Sequence, residues 1–468
     1  MRDAREWAER EFGGAQLGDR RRTQRLVRMA AEVASKPAGV VSKACRSSAS
    51  REGAFRLLES SDVHVEAVRG AVETAAMGRC SGERRVVVPI DGTSLTISDW
   101  RDVKGLGAVG AWDKGARGLH VMTAMALTPL GAPIGICGQH MWIRQTRSPH
   151  GRHGARGKQS ENDVWLDLLV RAHRGLAEQA PGCTPWFQMD RGADCWHVLA
   201  LAHALGLLMT VRAAHDRRVD ANGQLLWETV EGTATRAKLH VQVPERPPLR
   251  RKKRFGSRRI TCATKRRPAR TAKLSIRAAA VDVHCPHRDR SVHLNAVLVR
   301  EDRRGDERIE WMLLTTHPIR TRRDVLDIVR GYTLRWRIEE FHRVWKRGLC
   351  RVEDTQLRSC QAILKWATVL AAVATRAMRL TQLARSAPDA LASTEFSSTE
   401  LQALVALREP KGTHELATLS LALAVRWVAD LGGYSGPWKG PPGATIIGRG
   451  LYDVLVAARA FENSNKKR

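Results

Sequence analysis

Apolar and polar residues follow three different patterns along the chain. Residues 1–70 show helical spacing, and the helix that begins after Asp19 has an apolar face and an arginine face with Arg20, Arg21, Arg22 and Arg25. From Arg84 to Arg212, short apolar runs alternate with helical segments, which predicts an α/β unit. Residues 215–310 contain strand patterns, LLWETVEG among them, with no predicted helix between them. Beyond residue 360 the chain is rich in Ala and Leu and predicts helices.

A charged stripe lies within the segment YTLRWRIEEFHRVWK, residues 332–346. We expect one helix to begin at Thr321, run through this segment and end near Gly348. One face of that helix would carry Tyr332, Arg335, Glu339, Arg343 and Lys346. A carboxylate among cations can hold a divalent metal beside a phosphate, although a solvated helix with surface ion pairs has the same pattern.

Two aspartates end predicted apolar strands. Asp91 ends RRVVVPID, for which TSLTISDW is the expected hairpin partner, and Asp190 ends PWFQMD. Together with Glu339 they can bring three carboxylates around one or two Mg²⁺ ions, which suits phosphoryl transfer. A single aspartate in this position is more often a turn former or a helix cap, so the set is more informative than any one acid.

The charge of the chain indicates a polyanionic partner. The 468 residues carry a formal net charge of +30, and residues 246–274 alone contain thirteen lysines and arginines. That basic run is either a flexible loop or a nucleic-acid contact. No apolar run is long enough to span a membrane, no signal peptide is evident, and the nine cysteines have no paired spacing. The cysteine pattern favours a reducing compartment with free thiols.

The spacing Tyr-x2-Arg-x3-Glu-x6-Lys, seen at Tyr332, Arg335, Glu339 and Lys346, resembles the signature of bacterial cut-and-paste DDE transposases of the insertion-sequence-four family. LGDRRRTQRLV and EGAFRLLES resemble that family's N-terminal DNA-binding region. IDGTSL and DRGAD resemble its two aspartate motifs, WMLLTT resembles the strand before the signature, and LGGYSGPWKG and IGRGL resemble its C-terminal region. The resemblance covers nearly the whole chain.

The resemblance implies an α/β fold with an RNase H-like catalytic core. The expected domains are a helical end-binding domain at 1–70, a catalytic domain at 71–365 with a β-rich insertion at 215–310, and a helical dimerisation domain at 366–468. Asp91, Asp190 and Glu339 would be the catalytic metal ligands for two Mg²⁺ ions, for which Mn²⁺ can substitute. The residues implied to bind DNA phosphates are Arg212, Tyr332, Arg335, Arg343 and Lys346.

Trp311 matches the aromatic residue that holds a base flipped out of the duplex, although a tryptophan beside Met312 and Leu313 also suits an ordinary core. Three positions depart from the family pattern: Arg343 replaces a lysine, Gly192 a glutamate and Gly92 a threonine. None of these departures removes a predicted metal ligand.

The implied function is a transposase that acts as a homodimer on double-stranded DNA. It would bind terminal inverted repeats, cut one strand, form a hairpin on the other, reopen it and join the 3′ ends to target DNA. Two alternatives remain open from the sequence: an RNase H-like nuclease or resolvase without strand transfer, and an inactive DNA-binding inhibitor. The placement of acids at the ends of predicted strands disfavours a basic nucleic-acid chaperone.

Overall fold

The computed structural model describes residues 4–110, 115–143, 160–219, 223–246, 248, 250–255, 258–263, 266–285, 290–303, 305, 308–408 and 416–465. The chain forms two compact units. The first comprises residues 1–188 and 334–468, and the second comprises residues 189–333. None of the helices within the described ranges combines the length and the apolar character needed to cross a membrane.

The secondary structure is mixed α/β. The helices are α1 (Ala4–Phe12), α2 (Arg20–Ser35), α3 (Val41–Ala44), α4 (Ser48–Glu59), α5 (Val65–Gly78), α6 (Glu161–Gln179), α7 (Trp196–Ala204), α8 (Leu226–Glu231), α9 (Arg322–Thr333), α10 (Trp336–Lys346), α11 (Cys360–Ser386), α12 (Ser398–Arg408), α13 (Leu421–Leu431) and α14 (Ala444–Asn465). The strands are β1 (Arg85–Thr96), β2 (Gly107–Ala108), β3 (Arg117–Leu127), β4 (Pro133–Trp142), β5 (Thr184–Met189), β6 (Leu208–Arg212), β7 (Thr235–Val243), β8 (Arg250–Phe255), β9 (Arg258–Ala263), β10 (Arg270–His284), β11 (Ser291–Glu301) and β12 (Glu310–Thr315).

The N-terminal helices of the first unit form as the sequence predicts. The carboxylate of Asp19 accepts a hydrogen bond from the amide of Arg21 at 2.8 Å and caps α2. The apolar face of α2 is buried, with Leu26 1 % exposed and Val33 fully buried. Arg20, Arg21 and Arg25 lie on the opposite, exposed face of the helix.

The sheet of the first unit has the strand order β2-β3-β1-β5, with β4 also paired to β3. The register of β1 against β3 is antiparallel and continues from Val87 opposite Leu127 to Thr96 opposite Gly118. The prediction that Asp91 ends a strand is therefore wrong, and TSLTISDW is not its hairpin partner. Asp91 lies inside β1 because β3 offers a partner along its whole length, and the Asp-Gly pair does not interrupt the ladder.

Helix α11 is the central helix of the first unit. Nineteen of its 27 residues are buried, and Trp366 donates its Nε1–H to the carbonyl of Gly39 at 2.7 Å. Helix α10 packs against it through Trp345, which is fully buried and donates to the carbonyl of Ala367 at 3.1 Å. The ring of Phe341 stacks on that of Trp345 with 5.6 Å between centroids. These contacts fix α10 relative to the core.

The second unit contains an antiparallel sheet with the order β6-β12-β11-β10-β7. The strands predicted at β6, β7, β10, β11 and β12 are confirmed, but LLWETVEG is wrong as a strand. It forms helix α8 because Leu226 and Val230, four residues apart, are both buried, and because Asp216 caps the amide of Trp227 at 3.1 Å. The basic run contains the paired strands β8 and β9. The interpretation of this part of the run as a flexible loop is therefore wrong.

Replacing Trp345 tests how firmly α10 is anchored. We expect Trp345→Ala to lower the free energy of unfolding by about 3–5 kcal/mol, because a large buried ring is lost. Trp345→Phe keeps most of the apolar contact. It should lower the free energy of unfolding by only about 1–2 kcal/mol, mainly because the hydrogen bond is lost. Thermal and denaturant unfolding of the full chain measure both. Equal losses for the two variants would contradict this packing.

Candidate active site

A buried arginine joins two of the predicted acids in the first unit. Nη1 of Arg335 donates to Oδ2 of Asp91 at 3.2 Å, and Nη2 donates to Oε1 of Glu339 at 2.9 Å. The side chain of Arg335 is 8 % exposed, that of Asp91 13 % and that of Glu339 42 %. Two carboxylates from β1 and α10 thus face the same guanidinium, and the three side chains together carry one net negative charge.

The backbone before Glu339 is not one continuous helix. The predicted helix from Thr321 to Gly348 is wrong, because α9 ends at Thr333 and α10 begins at Trp336. Around Arg335 the amides bond three residues back instead of four: Arg337 to the carbonyl of Leu334 and Ile338 to that of Arg335. This tighter turn places Tyr332 on a different helix from the rest of the stripe.

Lys346 lies at the C-terminal end of α10 and contacts the same strand as Asp91. Its Nζ donates to Oγ1 of Thr93 at 3.1 Å and lies 3.7 Å from Oε1 of Glu353. Burial lowers the pKa of Lys346, and the carboxylate of Glu353 partly offsets this effect. Glu353 also accepts from the amide of Thr96 at 2.9 Å, so it ties α10 to the end of β1.

The second unit holds the third predicted acid. Asp190 directly follows β5, as predicted, and its Oδ1 accepts from the amide of Gly192 at 2.8 Å. The later aspartate of the same DRGAD segment, Asp194, is buried and structural. Its Oδ1 pairs with Arg217 at 2.6 Å, and its Oδ2 accepts from the amide of Ala214 at 2.6 Å.

Arg212, Trp311 and Tyr332 lie together in the second unit. Nη2 of Arg212 donates to the carbonyl of Glu310 at 2.9 Å, next to Trp311 in β12. The rings of Trp311 and Tyr332 meet edge to face with centroids 5.5 Å apart. Tyr332 is buried, whereas Trp311 keeps part of its surface exposed. The buried ring of Tyr332 thus holds the partly exposed indole of Trp311 in place.

Two matches to known families cover much of the chain. Residues 4–63 match the family described as transposase DNA-binding. Residues 139–375, just over half of the chain, match the transposase DDE domain. The chain belongs to the DDE transposase family. The matched DDE domain implies an RNase H-like core, and it includes Asp190 and Glu339, whereas Asp91 precedes the matched range.

The DNA-binding match contains the arginines of α2. Arg20, Arg21 and Arg25 are exposed, but Arg22 is half-buried, forms an ion pair with Asp62 and donates to the carbonyl of Leu17 at 3.2 Å. Arg22 therefore stabilises the helical region of the transposase. Arg343 of α10 is exposed.

The donor set of the transposase fits a hard divalent cation. Asp91 and Glu339 offer carboxylate oxygens around a shared cation, Arg335, and such oxygens are the preferred ligands of Mg²⁺. Within each unit, the described residues contain no group of three or more His, Cys, Asp and Glu side chains placed to hold a metal ion. Two of the predicted ligands belong to one unit and Asp190 to the other.

His342 is a residue of the site that the sequence analysis missed. It lies on α10 between the levels of Glu339 and Lys346 and is 7 % exposed. Burial, with the positive charges of Lys346 and Arg335, lowers the pKa of His342 to about 3. The sequence could have indicated His342, because it lies three residues after Glu339 and residues at that spacing share a helix face. Glu353 and Thr93 had no comparable signal, since only the fold brings them to Lys346.

The titration of His342 gives a pH prediction. An unfolded histidine binds a proton near pH 6.5, whereas folded His342 does so only near pH 3. The unfolded transposase therefore binds more protons in this window, and stability falls as the pH drops below about 6.5. We expect His342→Gln to reduce that fall by up to about 1.4 kcal/mol per pH unit.

Thermal unfolding of both proteins from pH 8 to pH 4.5 measures the difference. The values at pH 8 serve as the control, because there the variant differs from the wild type only in packing. Parallel pH profiles for wild type and variant would show that His342 titrates normally in the folded protein.

Proposed function

We propose that this DDE transposase excises and inserts a DNA element by the cut-and-paste route of the insertion-sequence-four family. The observation that supports the proposal most strongly is the shared contact of Asp91 and Glu339 with the buried Arg335. A strongly basic chain with two transposase matches supplies the DNA-binding context. We further propose that the exposed arginines of α2, Arg20, Arg21 and Arg25, bind the terminal inverted repeat.

In this proposal Asp91, Asp190 and Glu339 hold two Mg²⁺ ions, with Mn²⁺ as a substitute. When bound, the ions would supply Lewis-acid activation of the attacking oxygen and stabilisation of the leaving 3′ oxygen. Arg335 orients Asp91 and Glu339, because its guanidinium offers one donor to each of them. Lys346 is held beside Thr93 of β1, where its charge would contact a phosphate of the DNA strand.

The remaining roles follow the family pattern. Arg212, Tyr332 and Arg343 would contact phosphates near the element end, and Trp311 would stack on a flipped base while the hairpin forms. Two protomers would pair two ends, with the C-terminal region, residues 366–468, as the dimerisation domain. The proposed end-binding domain is 1–70, and the proposed catalytic domain is 71–365. Cytoplasmic, nucleoid-associated action remains a prediction.

The acids give the direct test of catalysis. We expect Asp91→Asn, Asp190→Asn and Glu339→Gln each to lower Mg²⁺-dependent strand cutting by at least about 10³-fold, because each removes a ligand charge. Binding to the inverted repeats that flank the coding sequence should change less than about threefold. Gel assays of cutting and binding on the same labelled DNA measure both. Glu340→Gln is the matched control, since Glu340 pairs with Arg337 instead of Arg335.

Metal-dependent cutting that persists in any of the three variants would reject that residue as a ligand. If the wild type cuts but never joins pre-cleaved ends to target DNA, the protein is a nuclease and not a transposase.

Trp311 provides a test of the hairpin step. We expect Trp311→Ala to leave the first nick nearly unchanged and to slow hairpin formation about 5- to 150-fold, because base stacking on an aromatic ring contributes about 1–3 kcal/mol. Trp311→Phe should retain most of the rate. Denaturing gels resolve nicked, hairpin and blunt products. If Trp311→Ala lowers nicking and hairpin formation equally, or lowers the melting temperature sharply, Trp311 is a core residue.

A further inference from the structure

Trp100 is a large apolar side chain that projects from a well-held loop. Its indole is 80 % exposed, although the loop that carries it follows β1 directly. The carboxylate of Asp99 is buried and accepts from the amides of Val103 at 3.1 Å and Lys104 at 3.3 Å. Asp102 has a φ of 53° and forms an ion pair with Arg117. These contacts fix the backbone of the loop, while the indole ring of Trp100 faces solvent. An exposed ring forgoes the stabilisation that burial would give, and a ring held in this way suits the binding of a ligand.

The loop forms one wall of a cavity of about 560 Å³ in the first unit. Lys43, at the end of α3, contributes a second wall, and residues 353–356 contribute a third. Sites for small ligands are roughly 300–1,000 Å³, so the cavity has room for a nucleotide.

The cavity lining holds three cations, Lys43, Arg101 and Lys104, and three acids, Asp99, Glu353 and Asp354. Each acid of the wall is already satisfied: Asp99 by the amides above, Glu353 by Arg347 at 2.8 Å and Asp354 by Arg351 at 2.7 Å. Lys43 and Lys104 pair with no carboxylate in the described part of the chain. The guanidinium of Arg101 lies over the Trp100 ring, 4.2 Å from its centroid. Cations around an aromatic face are the combination that binds phosphates and a stacked base.

Glu353 links the cavity to the candidate active site. That carboxylate lines the cavity, approaches Nζ of Lys346 at 3.7 Å and accepts from the amide of Thr96, the last residue of β1. From Asp91 to Thr96 the strand spans about 17 Å. Trp100 lies four residues beyond Thr96, on the loop that follows the strand.

We propose that Trp100 stacks on an unpaired or distorted base of the strand whose phosphate is cut, while Lys43 and Lys104 hold the flanking phosphates. The partner is thus a DNA strand that leaves the catalytic site along β1. The proposal rests on the proposed transposase function and adds a second contact to the same strand. Because stacking accepts every base, the contact would not require a particular sequence.

Binding of the full chain to a single-stranded oligonucleotide, without divalent metal, tests the contact. We expect Trp100→Ala to weaken binding about 5- to 150-fold and Trp100→Phe to retain most of it. Leu130→Ala is the matched control for exposed apolar area, since Leu130 is 66 % exposed outside the cavity. The double variant Lys43→Ala with Lys104→Ala should reduce the slope of log affinity against log salt by about 1.4, whereas Trp100→Ala should leave the slope unchanged.

Cross-linking gives the register of the contact. Bromouracil placed at successive positions of the element-end DNA should cross-link to the peptide that contains Trp100 at one or two adjacent positions and only weakly elsewhere. Undiminished binding by Trp100→Ala, equal losses for Trp100→Ala and Leu130→Ala, or cross-links that avoid Trp100 would each overturn the proposal. Loss of self-association instead of DNA binding would assign the cavity to a second copy of the chain.

The experiments distinguish a failure of the Trp100 proposal from a failure of the proposed transposase function. If Trp100→Ala binds and cuts like the wild type, only the stacking site fails. If the wild type itself neither binds nor cuts element ends, the transposase function fails as well.

Discussion

The ion pair of Arg335 with Asp91 and Glu339 is the interaction on which the rest of the site depends. Two carboxylates held close together in a partly buried place repel each other and tend to take up a proton. A guanidinium that is 8 % exposed and donates to both carboxylates offsets that repulsion. The remaining negative charge favours a divalent cation. Arg335 thus makes the acids compatible with folding and leaves them available to a metal.

The framework around this ion pair joins parts of the chain that are 244 residues apart. Strand β1 carries Asp91 and Thr93 and is held by its long pairing with β3. Helix α10 carries Glu339 and Lys346 and is held against α11 by Trp345. The tight turn at residues 334–338 separates α10 from α9. The charged residues therefore lie on rigid elements, as a preorganised site requires.

Much of this architecture could be predicted from local pattern. Helix α2 with its Asp19 cap, the strands of the second unit and the position of Asp190 after β5 follow from periodicity and capping. Three features did not follow. The Asp-Gly pair in β1 looks like a strand end, and only the unbroken partner β3 shows otherwise. No residue of the local sequence pattern marks the three-residue hydrogen bonds near Arg335, and the contact of Glu353 with Lys346 depends on the fold alone.

The central claim is that Asp91, Asp190 and Glu339 bind the same divalent ions. Iron-directed cleavage tests it most directly: Fe²⁺ replaces Mg²⁺, and the hydroxyl radicals formed with ascorbate and peroxide cut the backbone beside the bound metal. We expect cuts next to Asp91, Asp190 and Glu339 that excess Mg²⁺ suppresses and that Glu339→Gln abolishes together. Cuts that spare any one of the three positions, or that persist in Glu339→Gln, would contradict it.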